Sequence, residues 1–207
     1  MKLSRLLLLP VVGILLFASG CVFDNASTQT VINDWMVVPF YENRTSPDID
    51  SEAVCDQTKQ AFLDLLARNN VSPEDVISAS LIKGRYKVTR LESNHDWTIE
   101  GKVMIYRQDD PSGDITDGPA LFVKWSRESL EQLLANPPRP ARTWKDGVDV
   151  MDNAIEALLN GEDPRIVLTF RCEDIIPAPS VSHPLVFDWE AHARIQLVVN
   201  RDVSKDL

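Results

Sequence analysis

The segment from Trp189 to Val199 alternates without a break. Trp189, Ala191, Ala193, Ile195, Leu197 and Val199 fall on one side, with Glu190, His192, Arg194 and Gln196 between them. A two-residue period sends successive side chains to opposite faces of a strand, so one face here is buried and the other wet. Ile166, Leu168, Phe170 and Cys172 repeat the pattern, as do Trp97, Ile99, Val103 and Ile105 around Gly101. A chain carrying three such segments must build a sheet with one covered face. Trp35–Tyr41 reads as a further buried strand ending at Pro39, and Glu42–Asp50 as a loop.

Between these segments the period changes to helical. Val54, Ala61, Phe62, Leu65 and Leu66 form one stripe over residues 51–68, and Asn69 and Asn70 suit the helix end. Ser72, Pro73, Glu74 and Asp75 have the chemistry of a helix start, which predicts a second helix to about Ile82. A hairpin of 85–92 with 97–107 follows, and then a strand over 120–125. Ser126 would cap a short helix with Leu130, Leu133 and Leu134. Thr143–Asp146 resembles a capping box ahead of Val148, Met151, Ile155, Leu158 and Leu159. Residues 136–142 are Pro-rich and the best linker candidate. The loop 177–188 would join the last two strands as antiparallel neighbours. The expected fold class is α+β: one mixed, mainly antiparallel sheet with helices packed over one face. Residues 35–207 are expected to form a single domain.

The first twenty residues stand outside that fold. Lys2 and Arg5 precede an apolar run from Leu6 to Phe17, and Ala18, Ser19 and Gly20 lead into Cys21. A positive start, a run too short for a comfortable membrane span and a small-residue exit make a secretory signal peptide. Removing it leaves 19 basic and 31 acidic residues, a net charge of −12 against −10 for the whole chain. Such a charge repels phosphate backbones, so nucleic acid is not an expected partner. Residues 21–34 read as a polar tether.

Ala-Ser-Gly-Cys resembles the lipobox of bacterial lipoproteins. The resemblance implies cleavage before Cys21, acylation of its thiol and a membrane partner reached through that lipid. Ala18 departs from the usual Leu, and an ordinary signal peptide is the alternative. Val22, where an Asp would imply inner-membrane retention, implies the outer membrane, facing the periplasm. Two cysteines remain, Cys55 and Cys172. An oxidising compartment makes a disulfide the simplest reading of an even pair. Two buried thiols are the alternative.

Val37–Thr45, VVPFYENRT, precedes an acidic turn and an amphipathic helix. It resembles the opening of envelope-assembly lipoprotein domains: penicillin-binding-protein activator, curli-secretion and lipopolysaccharide-assembly lipoproteins. That implies a non-enzymatic module serving a larger envelope machine. Asn43, Arg44 and Thr45 read physically as a polar turn.

The glycines are too dispersed for a phosphate loop, and there is no nucleophile elbow. No catalytic residue, cofactor site or metal site is assigned. Asp109, Asp110, Asp114 and Asp117 could offer hard oxygen ligands to Ca²⁺, or form a solvated turn. His95, His183 and His192 are placed at the surface. Trp125 and Trp144 could form an aromatic patch or pack inside. The expected function is an outer-membrane-anchored periplasmic lipoprotein that binds or scaffolds an envelope protein partner. An envelope hydrolase of peptidoglycan or glycans, or a small-ligand or Ca²⁺-binding module, is the alternative.

Overall fold

A computed structural model describes residues 27–46, 51–53, 55–92, 95–108 and 115–202, without the side chains of residues 27, 51–56 and 202. The signal segment, Cys21 and Asp109, Asp110 and Asp114 lie outside the described residues. Contacts divide the chain into Met1–Thr30 with Asn200–Leu207, and Val31–Val199. Only residues 27–30 and 200–202 of the first unit are described.

The elements are β1 (Ser27–Arg44), β2 (Ser51–Ala53), α1 (Cys55–Arg68), β3 (Val76–Glu92), β4 (Thr98–Gln108), β5 (Ile115–Ser129), α2 (Leu130–Ala135), β6 (Arg139–Thr143), α3 (Lys145–Leu159), β7 (Arg165–Ile176) and β8 (Leu185–Asp202). Among the described residues 62% are strand and 23% helical. The expected α+β fold with helices over one face is therefore corrected to a mostly β fold. The strands form one sheet in the order β1-β8-β3-β6-β5-β4-β7-β2. The β2–β7, β3–β6, β3–β8, β4–β5, β4–β7 and β5–β6 pairs are all antiparallel.

Four local expectations change, each for a physical reason. The tether becomes strand from Ser27, and β1 runs on through Arg44 instead of ending at Pro39. An edge strand tolerates a proline because its outward N–H has no ladder partner to lose. Pro73–Asp75 makes one 3₁₀ turn, and the chain then enters β3. The start signal is genuine, but Val76-Ile77-Ser78 favours a pleated surface over a helix. Residues 139–143 are not a linker but β6. β3 with β4, and β7 with β8, are not paired neighbours: each of these connections crosses between the two halves of the sheet.

β6 is a narrow waist. It pairs with β3 through Arg139, Pro140 and Ala141, and with β5 only through Arg142 and Thr143. The sheet folds back on itself about this strip. Trp189 on β8 and Phe170 on β7 are five places apart in the order, about 24 Å in a flat sheet. Their ring centroids are 4.9 Å apart. Phe40 stacks on Trp189 at 4.0 Å, Tyr86 on Trp125 at 4.3 Å, and Trp125 meets Trp189 edge-on at 4.9 Å. The two halves thus share one aromatic core.

A buried ion pair lies beside it. Glu42 and Arg44 alternate on β1, each with its side chain 1% exposed. Arg44 Nε donates to Glu42 Oε2 at 3.0 Å, and Arg44 Nη2 donates to the Phe170 carbonyl at 3.1 Å. Trp189 Nε1 donates to Glu42 Oε1 at 3.0 Å. Of the residues read as a polar turn, Arg44 is core instead, while Asn43 stays exposed.

The helices complete the enclosure. α1 packs on β7, where Val167 and Thr169 are buried as well as the expected Ile166, Leu168 and Phe170. Its C-terminal end reaches the opposite sheet edge, where Arg68 Nη2 donates to the Trp35 carbonyl at 2.7 Å. Asn70 closes it in the left-handed region, φ 54°. α3 buries Val150, Met151, Ala154 and Ile155. Gly147 lets it approach β5, since a Cβ there would lie 2.5 Å from the Leu121 carbonyl oxygen and 2.6 Å from Phe122 Cα.

Gly147→Ala is expected to lower stability by about 1–3 kcal/mol in urea unfolding through overpacking. Helix propensity alone would raise it by about 1 kcal/mol. The sign of the change therefore tests the close contact.

Glu42→Ala should cost about 3–5 kcal/mol by leaving Arg44 buried without its carboxylate. The double variant Glu42→Leu/Arg44→Met should lose less than the single one. Additive losses in the same unfolding series would contradict a coupled pair.

Candidate functional site

The outer face of β1, β8 and β3 concentrates positive charge on a chain whose net charge is −10. Lys83, Arg85 and Lys87 occupy alternate positions of β3, about 7 Å apart, and point the same way. Register sets Lys83 opposite Arg194, Arg85 opposite His192 and Lys87 opposite Glu190 on β8. Lys83 is exposed and the other three cations are half-buried. Like charges opposite one another across a ladder are destabilising by roughly 0.2–1 kcal/mol.

Trp35 on β1 lies beneath part of this array. Arg85 Cζ stands 4.6 Å and Lys83 Nζ 5.7 Å from its ring centroid, and His192 meets it edge-on at 6.4 Å. Farther along, Arg90 Cζ sits 5.8 Å from the Tyr41 ring. The electron-rich faces offset part of the repulsion among the cations.

The carboxylates of this face are already engaged. Glu190 Oε2 is 2.9 Å from His192 Nε2. Asp188 takes Arg90 through both oxygens, at 2.7 and 3.1 Å. Among the described residues no carboxylate lies at ion-pair distance from Lys83, Arg85, Lys87 or Arg194.

The outer face of the other half is balanced. Lys102 pairs with Glu173 at 2.9 Å, Lys124 with Glu173 at 3.2 Å and with Glu100 at 3.5 Å, and Arg127 with Asp174. The two lysines hold the Glu173 carboxyl below its usual range. Cations spaced along a strand with no carboxylate of the described residues at ion-pair distance can take a multiply charged anion.

The backbone that presents Trp35 is pinned. Its N–H donates to Asp34 Oδ1 at 2.7 Å, while Arg68 holds its carbonyl. Asp34 Oδ2 also accepts from Asn69 at 2.8 Å and from Arg68 at 3.2 Å. Partial burial works to raise the Asp34 carboxyl, but these hydrogen bonds outweigh it and hold the group below its ordinary 3.8.

Of the residues singled out from sequence, His192 lies on this face and the others lie elsewhere. Cys172 is on β7, and β2 pairs Ala53 with Leu168, four positions before it. The Cys55 side chain lies outside the described residues, and with it the bridge. Asp117 is on β5, with Asn153 Nδ2 at 3.5 Å from Oδ2. No group of three potential metal ligands occurs among the described residues. Trp125 is fully buried core, and Trp144 carries Arg142 at 5.0 Å over its ring. The cationic stripe went unread, although Lys83-Gly84-Arg85-Tyr86-Lys87 shows its two-residue period openly. The strand expected over 85–92 already carries Arg85 and Lys87, but only pairing with β8 brings Arg194 beside them.

No family model matches the chain, and no curated protein matches it. It is similar to several solved virus structures. For the Macrobrachium rosenbergii nodavirus semi-empty particle the TM-score is 0.34, with 10% identity over 86% of each chain. For mud crab tombus-like virus it is 0.31, with 12% identity over 92% of this chain and 98% of that one. For Cocksfoot mottle virus it is 0.33, with 10% identity over 100% and 96%. Likeness this distant carries nothing about function.

Asp34 gives this face a pH dependence. A lowered carboxyl adds stability that is present above the unfolded value of 3.8 and is lost as pH falls through the lower folded value. Unfolding curves of the wild type and Asp34→Asn should therefore differ at pH 7 and converge as pH falls below 3.8 and through the lower folded value. A difference that persists unchanged there would exclude Asp34 as its source.

Proposed function

We propose that this chain is a lipid-anchored protein of the bacterial outer membrane whose β module binds an anionic surface of an envelope protein. The anchor rests on the Lys2–Cys21 segment and its resemblance to a lipobox. The binding role rests on one observation: Lys83, Arg85, Lys87 and Arg194 share a face, two of them cover Trp35, and no carboxylate of the described residues pairs with them.

A partner supplying acids at strand spacing would replace repulsion with charge-assisted contacts. Steering by such a face speeds encounter and weakens with salt, because exposed charges are screened beyond about 8 Å at physiological ionic strength. Trp35 and Tyr41 add apolar area beside the charges, the residue types that anchor protein interfaces. Anchoring at Cys21 would confine both partners to one membrane surface and raise their effective concentration.

A photo-crosslinking residue at Val37, on the same face, tests this in intact cells carrying the lipidated chain. One discrete protein adduct is expected, and Lys83→Glu/Arg85→Glu/Lys87→Glu should abolish it. Palmitate label at Cys21, absent from Cys21→Ser, should be unchanged by the triple substitution. An adduct that survives charge reversal overturns the binding face. Failure to label Cys21 overturns the anchor.

A further inference from the structure

Two of the three histidines meet, although 88 positions separate them in sequence. His95 lies in the connection from β3 to β4, and His183 in the connection from β7 to β8. Their ring centroids are 5.8 Å apart, with the planes at 58°. Both residues are exposed.

Each ring is steadied by its own surroundings. His95 stands edge-on against Trp97 at 6.0 Å and 82°, and Trp97 is buried. His183 closes a tight turn through two backbone hydrogen bonds with Ser180, both 3.1 Å. Its Nδ1 lies 3.0 Å from Ser182 Oγ, which lies 3.2 Å from Ser180 Oγ. A hydroxyl on Nδ1 fixes the ring and leaves Nε2 as the nitrogen not engaged by that serine.

That is how a metal-binding histidine is built: one nitrogen held by an outer partner, the other offered to the ion. Imidazole nitrogen binds a late first-row divalent cation at about 2.0–2.1 Å, which puts each ring centre about 3.2 Å from the metal. Two rings on one ion then stand at most about 6.4 Å apart, and about 5 Å at a tetrahedral angle. The observed 5.8 Å falls inside that interval. With imidazole donors the site suits Cu²⁺, Ni²⁺ or Zn²⁺, whereas Ca²⁺ and Mg²⁺ require oxygen ligands.

We propose that His95 and His183 form a two-imidazole site for a late first-row divalent cation, water completing the coordination. The ion would staple the β3–β4 connection to the β7–β8 connection. The site is independent of the cationic face.

The full chain, free of any polyhistidine tag, is titrated with Ni²⁺ and followed by calorimetry and by thermal unfolding. One equivalent is expected, with Kd in the micromolar range and a raised unfolding midpoint. His95→Ala and His183→Ala should each weaken binding at least tenfold, and Ser182→Ala less than either. His192→Ala should bind like the wild type. Midpoints measured without metal establish that each variant is folded. Wild-type affinity in either His95→Ala or His183→Ala, loss of binding in His192→Ala, or no binding by the wild type at 1 mM Ni²⁺ would overturn the site.

Discussion

The Glu42–Arg44 pair holds together what the backbone alone would leave apart. β6 gives the two halves of the sheet only a few ladder positions in common. Closure therefore depends on side chains that reach across. Glu42 takes the Trp189 indole of β8, and Arg44 takes the Phe170 carbonyl of β7. One short stretch of β1 thus touches both halves through directional bonds. A buried ion pair adds little net stability over an apolar substitute, because its desolvation cost offsets the Coulomb gain. What it supplies is geometry: the aromatic core could slide, whereas these hydrogen bonds fix which residue of β7 faces which residue of β1.

Both ends of the sheet would otherwise expose edges. β1 and β2 are the terminal strands, and an edge eighteen residues long is a template for unwanted pairing. α1 addresses both. It covers β7 near β2, and its last turn binds the β1 backbone through Arg68. The helix that was clearest in sequence is therefore not a layer over the sheet. It seals the opening where the sheet curls back.

The phase of the strands was legible, and their neighbours were not. Trp189, Ile195, Leu197 and Val199 are buried as their alternation demands, and so are Ile99, Val103 and Ile105. Alternation is local, set by the pleat. Pairing is not: β3 takes β8 rather than β4, a choice made by residues about a hundred positions away. Two misreadings had local causes. The helix-start chemistry at Ser72–Asp75 specifies one turn but not its continuation, and Pro137, Pro138 and Pro140 suggested a linker although only Pro140 lies within the five-residue β6. Arg44 misled most, since charge in a turn-like sequence gives no sign that a carboxylate two residues earlier will be buried with it.

Charge on this chain follows the same division between local and global. The net value of −10 averages over two unlike surfaces. On β4 and β5, Lys102, Lys124 and Arg127 find Glu100, Glu173 or Asp174 across the ladders. On β3 and β8 the register brings Lys83 to Arg194, and the available acids are spent on Arg90 and His192. A one-residue slip of β3 would turn its apolar residues outward, so burial of Leu81, Tyr86 and Val88 forbids it. The hydrophobic face dictates the register, and the register dictates the unpaired cations. Their repulsion is the cost of that register, offset in part by the Trp35 ring beneath Lys83 and Arg85.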